Sequence, residues 1–163
     1  MTTEQYWASL DALAASKDTS NALLEAADLL RAHPDLPLLI SCRHVHGRIR
    51  HLFTSFDERN LDATGNRYLI CFTSAKQAER TPSAPAVSET HEAGPSFDNL
   101  DERYGKRRKK GSLITWTVEA GETALVSTGK VLAYVHRSHA VGGLVFNPGD
   151  ERHSLVIAKF LLE

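Results

Sequence analysis

Arg67-Tyr68-Leu69-Ile70-Cys71-Phe72-Thr73-Ser74-Ala75 is the stretch on which the reading of the fold turns. Residues 67–72 have the β-branched and aromatic character of a buried strand. Thr73 and Ser74 come directly after it, and either hydroxyl can cap a short helix that runs to about Arg80. A strand that enters a helix without a linker predicts helices and sheet in one unit.

Upstream the pattern is helical. Tyr6, Leu10 and Leu13 recur at helical spacing, and Trp7 and Ala14 widen that face. Asp18, Thr19 and Ser20 offer N-caps for a second helix over 21–32, whose stripe is Leu23, Ala26, Ala27 and Leu30. His33-Pro34 ends it, because a residue before proline avoids the α region. From Leu36 the pattern becomes strand-like. A turn at Val45-His46-Gly47-Arg48 and a return strand through Ile49, His51 and Phe53 predict a hairpin, and 55–66 read as a loop.

Downstream, residues 81–112 differ in kind. They hold Pro82, Pro85 and Pro95 among Ser, Thr, Ala and Glu, which predicts a mobile polar excursion. The segment starts acidic (Glu89, Glu92, Asp98, Asp101, Glu102) and ends basic, from Lys106 to Lys110. An excursion this long inside one domain points to function or disorder. Ile114, Trp116 and Val118 then alternate as a half-buried strand. Gly121 and Gly129 punctuate the next segment, and Val131, Leu132 and Val135 suggest a short helix ending near His136. Gly142-Gly143 breaks it. Leu144 to Phe146 reads as a buried strand, Asn147-Pro148-Gly149-Asp150 as a turn, 154–157 as a strand and 158–162 as a terminal helix. The expected fold is a single compact α+β domain over 1–163. Its N-terminal helices pack on a mixed or antiparallel sheet, and a long polar insertion interrupts it.

Composition narrows the classes. The chain has 163 residues, 42% hydrophobic and 24% charged, and a formal charge of −1. That fits a globular domain without a global field for nucleic acid or anionic lipid. Residues 1–5 lack basic residues ahead of an apolar run, so no secretion signal is expected. The longest apolar stretches fall well short of the ~20 residues of a membrane span. Cys42 and Cys71 both sit in apolar runs, as buried free thiols of a reducing compartment would. A cytoplasmic, disulfide-free protein is the expectation.

Two phrases carry a family resemblance. Residues 67–75, with Phe72-Thr73-Ser74, and Gly143-Leu144-Val145-Phe146-Asn147-Pro148-Gly149 resemble two signatures of the bacterial SseB N-terminal family (enhanced serine sensitivity protein B). The likeness spans roughly residues 20–163, since the helix and strand from Leu23 to Cys42 are also similar to that family's opening element. It implies an α+β fold with no catalytic residues to carry over. The family's old association with sulfurtransferases is weakened here, because neither Cys42 nor Cys71 lies in a loop that could cradle a persulfide. The segment 81–112 departs from the shorter connection the family would have.

Candidate chemistry is sparse. Cys42, His44 and His46 would share one face of a strand, where a zinc ion could be closed by Cys71 or His51. The competing reading packs Cys42 in the core and leaves the histidines at a solvated turn. Their spacing fits none of the usual zinc signatures, so no cofactor is expected, and a zinc-binding protein or an enzyme that uses this face is the alternative. His136 and His139, with Glu119 or Glu122 nearby, fit a solvated helix end better than a metal or acid–base site. No nucleophile elbow, phosphate loop or dinucleotide fingerprint occurs. The run Lys106 to Lys110 could hold nucleic acid by counterion release, a third and weaker reading. It lacks the interleaved aromatics of a single-strand binder, so the acidic half of the same segment, or an acidic protein partner, is the better match. These readings converge on a protein-interaction domain, an adaptor or immunity-type binder. It would act through an edge strand or through 81–112. Asp98, Asp101, Tyr104, Arg107, Arg108 and Lys109 are the expected contacts. Oligomeric state is left open.

Overall fold

The computed structural model describes residues 1–45, 48–51, 53–55, 67–80, 85–89, 113–117, 122–139 and 141–163. Helix α1 (Thr3–Ala14) starts at a capping box. The Thr2 hydroxyl accepts from Gln5 N–H at 3.2 Å, and Gln5 Oε1 accepts from Thr2 N–H at 2.9 Å. Helix α2 (Thr19–Ala32) is capped by Asp18, whose carboxylate accepts from Asn21 N–H at 3.3 Å, and it stops at His33 before Pro34.

The nine strands among the described residues join in one sheet. Its centre runs in the order β7 (Thr123–Ser127), β1 (Pro37–Val45), β4 (Arg67–Phe72), β8 (Val141–Phe146), β9 (Leu155–Ala158). Only β4 and β8 are parallel; the other neighbours in that row are antiparallel. The sheet is mixed, as expected. Strand β2 (Arg48–His51) returns along the second half of β1, and β3 (Phe53–Ser55) pairs with the first half of β4. From β3 the sheet extends through β5 (Pro85–Glu89) to β6 (Leu113–Thr117).

Side chains alternate across the sheet and divide the core in two. Leu38, Ile40, Leu69, Cys71, Leu144, Phe146, Leu155 and Ile157 face α1, α2, α4 (Thr128–Arg137) and α5 (Lys159–Leu162). Tyr6, Leu10, Leu30, Val131 and Tyr134 complete that larger core. Leu39, Ile70, Phe72 and Val145 face the opposite way and meet Ala78 of α3 (Ala75–Arg80). Along this second face, burial is complete in the middle and lost at both margins. Ile70 and Val145 are 0% and 1% exposed, whereas Leu125 on β7 is 62% and Val156 on β9 is 38% exposed.

Several expectations need correction. Residues 85–89, read as part of a structureless excursion, form β5; Pro85 is tolerated because it is the first residue of the strand. Gly142-Gly143, read as a break ahead of the strand, lies inside β8, where the register shifts between Arg67 and Tyr68 of β4. Gly143 has φ +154°, and a Cβ there would sit 2.0 Å from the Ile157 carbonyl oxygen, so β8 and β9 approach as they do only because this residue is glycine. Ser55 belongs to β3 rather than to the loop after it. Strand β7 stands where the sequence offered only punctuating glycines.

Candidate functional site

Three places in this framework gather polar or unpaired groups. The first is at the carboxyl ends of the parallel strands β4 and β8. There Asn147 leaves β8 with φ +50°, a left-handed conformation asparagine tolerates, and is fully buried. Its Oδ1 accepts from Thr73 N–H at 3.1 Å. Its Nδ2 donates to Thr73 Oγ1 at 2.9 Å and to the His153 carbonyl at 2.8 Å. Thr73 Oγ1 donates its own proton to the Asp11 carboxylate at 2.6 Å, and Gln77 Nε2 approaches the same oxygen at 3.4 Å.

The two phrases of the family resemblance therefore meet in space through Asn147 and Thr73. Chemically the cluster is closed. The Thr73 proton is committed to Asp11 and its oxygen to Asn147, so the hydroxyl is no nucleophile. The arrangement locks α1, the β4–α3 junction and the turn after β8 together, which is a structural role. Asn147 was legible as a turn residue; its reach to Thr73 was not, because it depends on β4 and β8 being neighbours.

The second place is the hairpin β1–β2, which carries the expected metal face. Cys42 and Cys71 are both buried and unpaired in disulfides. Burial, reinforced by the nearby Glu122 carboxylate, pushes the Cys42 thiol from 9.0 to about 11. Burial alone pushes Cys71 further up. Both are protonated near neutrality, which opposes metal binding and nucleophilic use alike. The register sets His51 directly opposite Cys42 and His44 opposite Ile49. His46 lies outside the described residues. No group of three or more His, Cys, Asp or Glu that could hold a metal occurs among the described residues. His136 and His139 are exposed, His136 in the last turn of α4.

The third place is the far end of the sheet. Strands β5 and β6 pair from Pro85↔Thr117 to Glu89↔Leu113. Glu89 and Leu113, which flank residues 90–112 in the chain, are thus a paired position of the ladder. Asp98, Asp101, Tyr104, Arg107, Arg108 and Lys109 fall in that interval and outside the described residues.

No described helix is long and apolar enough to cross a membrane. Comparison with family models, with curated proteins and with solved structures finds no match.

Proposed function

We propose that this chain is a protein-interaction domain of SseB-like type that uses residues 90–112 as a recognition arm. The observation that carries it is the Glu89↔Leu113 pair, which gives a segment of divided charge a common base on the sheet. A long excursion anchored at both ends on adjacent strands keeps its contact residues near one location and lowers the ordering cost of binding. The acidic part (Asp98, Asp101) and the basic part (Arg107, Arg108, Lys109) would select a partner with matching charges, with Tyr104 as the aromatic anchor. Within this class an adaptor or an immunity-type binder in the bacterial cytoplasm is the reading we favour.

The test replaces residues 91–111 by a two-residue Asn-Gly turn, which suits closure of a hairpin. Capture from lysate of the native organism, with near-equal recovery of one protein by the full chain and none by the shortened one, is the expected result. Equal recovery by both, with the shortened chain folded by circular dichroism, would remove the arm from the proposal.

A second reading places a zinc ion on Cys42, His44 and His46. The register pair Cys42↔His51 favours it, since it brings a fourth ligand opposite Cys42. It predicts one zinc per chain in purified protein and a lower melting temperature in chelator. Purified protein with less than a tenth of an equivalent of zinc, and no uptake on dialysis against the metal, would discard it.

A further inference from the structure

At the outer edge of β7, one margin of the central sheet, the structure fixes the hydrogen-bond parity. In an antiparallel ladder only alternate residues exchange N–H···O bonds with a given neighbour. Cys42 N–H donates to the Glu122 carbonyl at 3.2 Å, and Thr128 N–H donates to the Leu36 carbonyl at 2.9 Å. These two bonds bracket the β1–β7 register and turn the even-numbered residues, Ala124 and Val126, towards β1. The N–H groups of Thr123, Leu125 and Ser127, with the carbonyls of Thr123 and Leu125, point the other way. No described strand lies on that side. The Ser127 carbonyl belongs to α4, of which Ser127 is the N-cap.

Among the described residues this edge lacks the devices that keep sheet edges apart. Thr123-Ala124-Leu125-Val126-Ser127 contains no charge and no proline, and no irregularity interrupts its register with β1. Leu125, at its centre, is 62% exposed and is among the most exposed large apolar side chains of the described residues. Ser127 makes no side-chain cap bond to α4, so its hydroxyl is available beside the edge.

We propose that β7 pairs antiparallel with β7 of a second copy about a two-fold axis at Leu125. A second copy fits this edge because its outward groups are self-complementary. With Leu125 opposite Leu125, Thr123 falls opposite Ser127 at both ends. The two Leu125 residues exchange two N–H···O bonds, and each Ser127 N–H donates to a Thr123 carbonyl, giving four bonds in all. Both Leu125 side chains lie on the same face and cover one another. The hydroxyls of Thr123 and Ser127 stand as a cross-strand pair, a favourable combination. A closed two-fold contact of this kind adds no further open edge from β7 and stops at two copies. The formal charge of −1 per chain offers little repulsion. The contact is small, so the dimer is of the weak, concentration-dependent class.

The experiment uses the full chain, reduced, in sedimentation velocity from about ten micromolar to several hundred micromolar, and then single-cysteine linkage. Mass should rise from 18.0 kDa towards twice that value with concentration. Leu125→Lys should hold the monomer mass throughout, with melting unchanged. Under mild oxidation Leu125→Cys should give a disulfide-linked dimer, because directly opposed hydrogen-bonded residues are ~5.5 Å apart between Cα atoms. Thr123→Cys should not link, since its two copies would be ~14 Å apart along the strands. The native Cys42 and Cys71 are buried and supply a silent background. A chain that stays at the monomer mass at every concentration overturns the proposal, as does linkage through Thr123→Cys equal to that through Leu125→Cys. The 91–111 replacement should dimerise like the full chain, so loss of the recognition arm and loss of the dimer are read separately.

Discussion

The carboxyl ends of β4 and β8 and the outer edge of β7 both gather hydrogen-bonding groups and behave oppositely. At the first, Asn147, Thr73 and Asp11 consume one another's donors and acceptors within a few ångström, and Asn147 and Thr73 are inaccessible to solvent. At the second, five backbone groups and an exposed leucine face outward with no described partner. Hydrogen-bond saturation, rather than polarity, separates the two. A closed network of polar side chains is architecture. An uncharged open edge is an invitation to pairing.

The contrast can be broken most severely just beside the closed region. Gly143→Ala places a methyl group 2.0 Å from a backbone carbonyl of β9, so the strands must part; a loss of more than ~4 kcal/mol is expected. A urea midpoint close to that of the natural chain would show that the β8–β9 approach is adjustable. Asn147→Ala comes next. It orphans the buried Thr73 N–H and empties a left-handed position that asparagine fills well, and a loss of about 3 kcal/mol is expected from the same measurement. At the open edge, Leu125→Lys should change stability by less than about 0.5 kcal/mol while abolishing the dimer. Stability and association are thus expected to part company between the two regions.

Alkaline pH sharpens the comparison from within the core. Tyr6 is desolvated, its hydroxyl donates to Thr128 Oγ1 at 2.8 Å while that oxygen donates to the Leu36 carbonyl, and it titrates at about 12 instead of 10.0. With Cys42 raised to about 11 and Cys71 also raised, all three groups stay neutral in the folded chain after the unfolded chain has begun to ionise. Their folded pKa values exceed the unfolded ones. The stability they contribute is complete below pH 9 and declines between about 9 and 12. Urea midpoints at pH 8 and pH 10.5 should differ clearly, and Cys42→Ala should reduce the difference. Equal midpoints would mean that these groups ionise as readily folded as unfolded.

Much of the fold was legible because it is local. The helical face of Tyr6, Leu10 and Leu13 widened by Ala14, a cap among Asp18, Thr19 and Ser20, the break at His33-Pro34 and the strand 67–72 each come from spacing and neighbours a few residues away. Strand β7 was not legible. Five residues between two glycines carry little periodic signal, and what makes them a strand is β1, more than 80 residues earlier in the chain. Strand β5 was missed for the same reason, since its partners β3 and β6 are both remote in sequence. The Cys42 face was read correctly as strand, yet burial keeps its thiol protonated.

By itself, then, the sequence determined the first helices, the cap region of α2, the strand that leads into α3, the turn at Asn147 and the divided charge of residues 90–112. Tertiary structure alone decided that Asn147 closes on Thr73, that Gly143 must be glycine, and that Leu125 stands on an open edge. The reason is the range of the forces involved. Caps, periodicity and turn chemistry act within one or two turns of chain. Strand neighbours are chosen by burying side chains from distant segments, and only that choice leaves an edge unpaired.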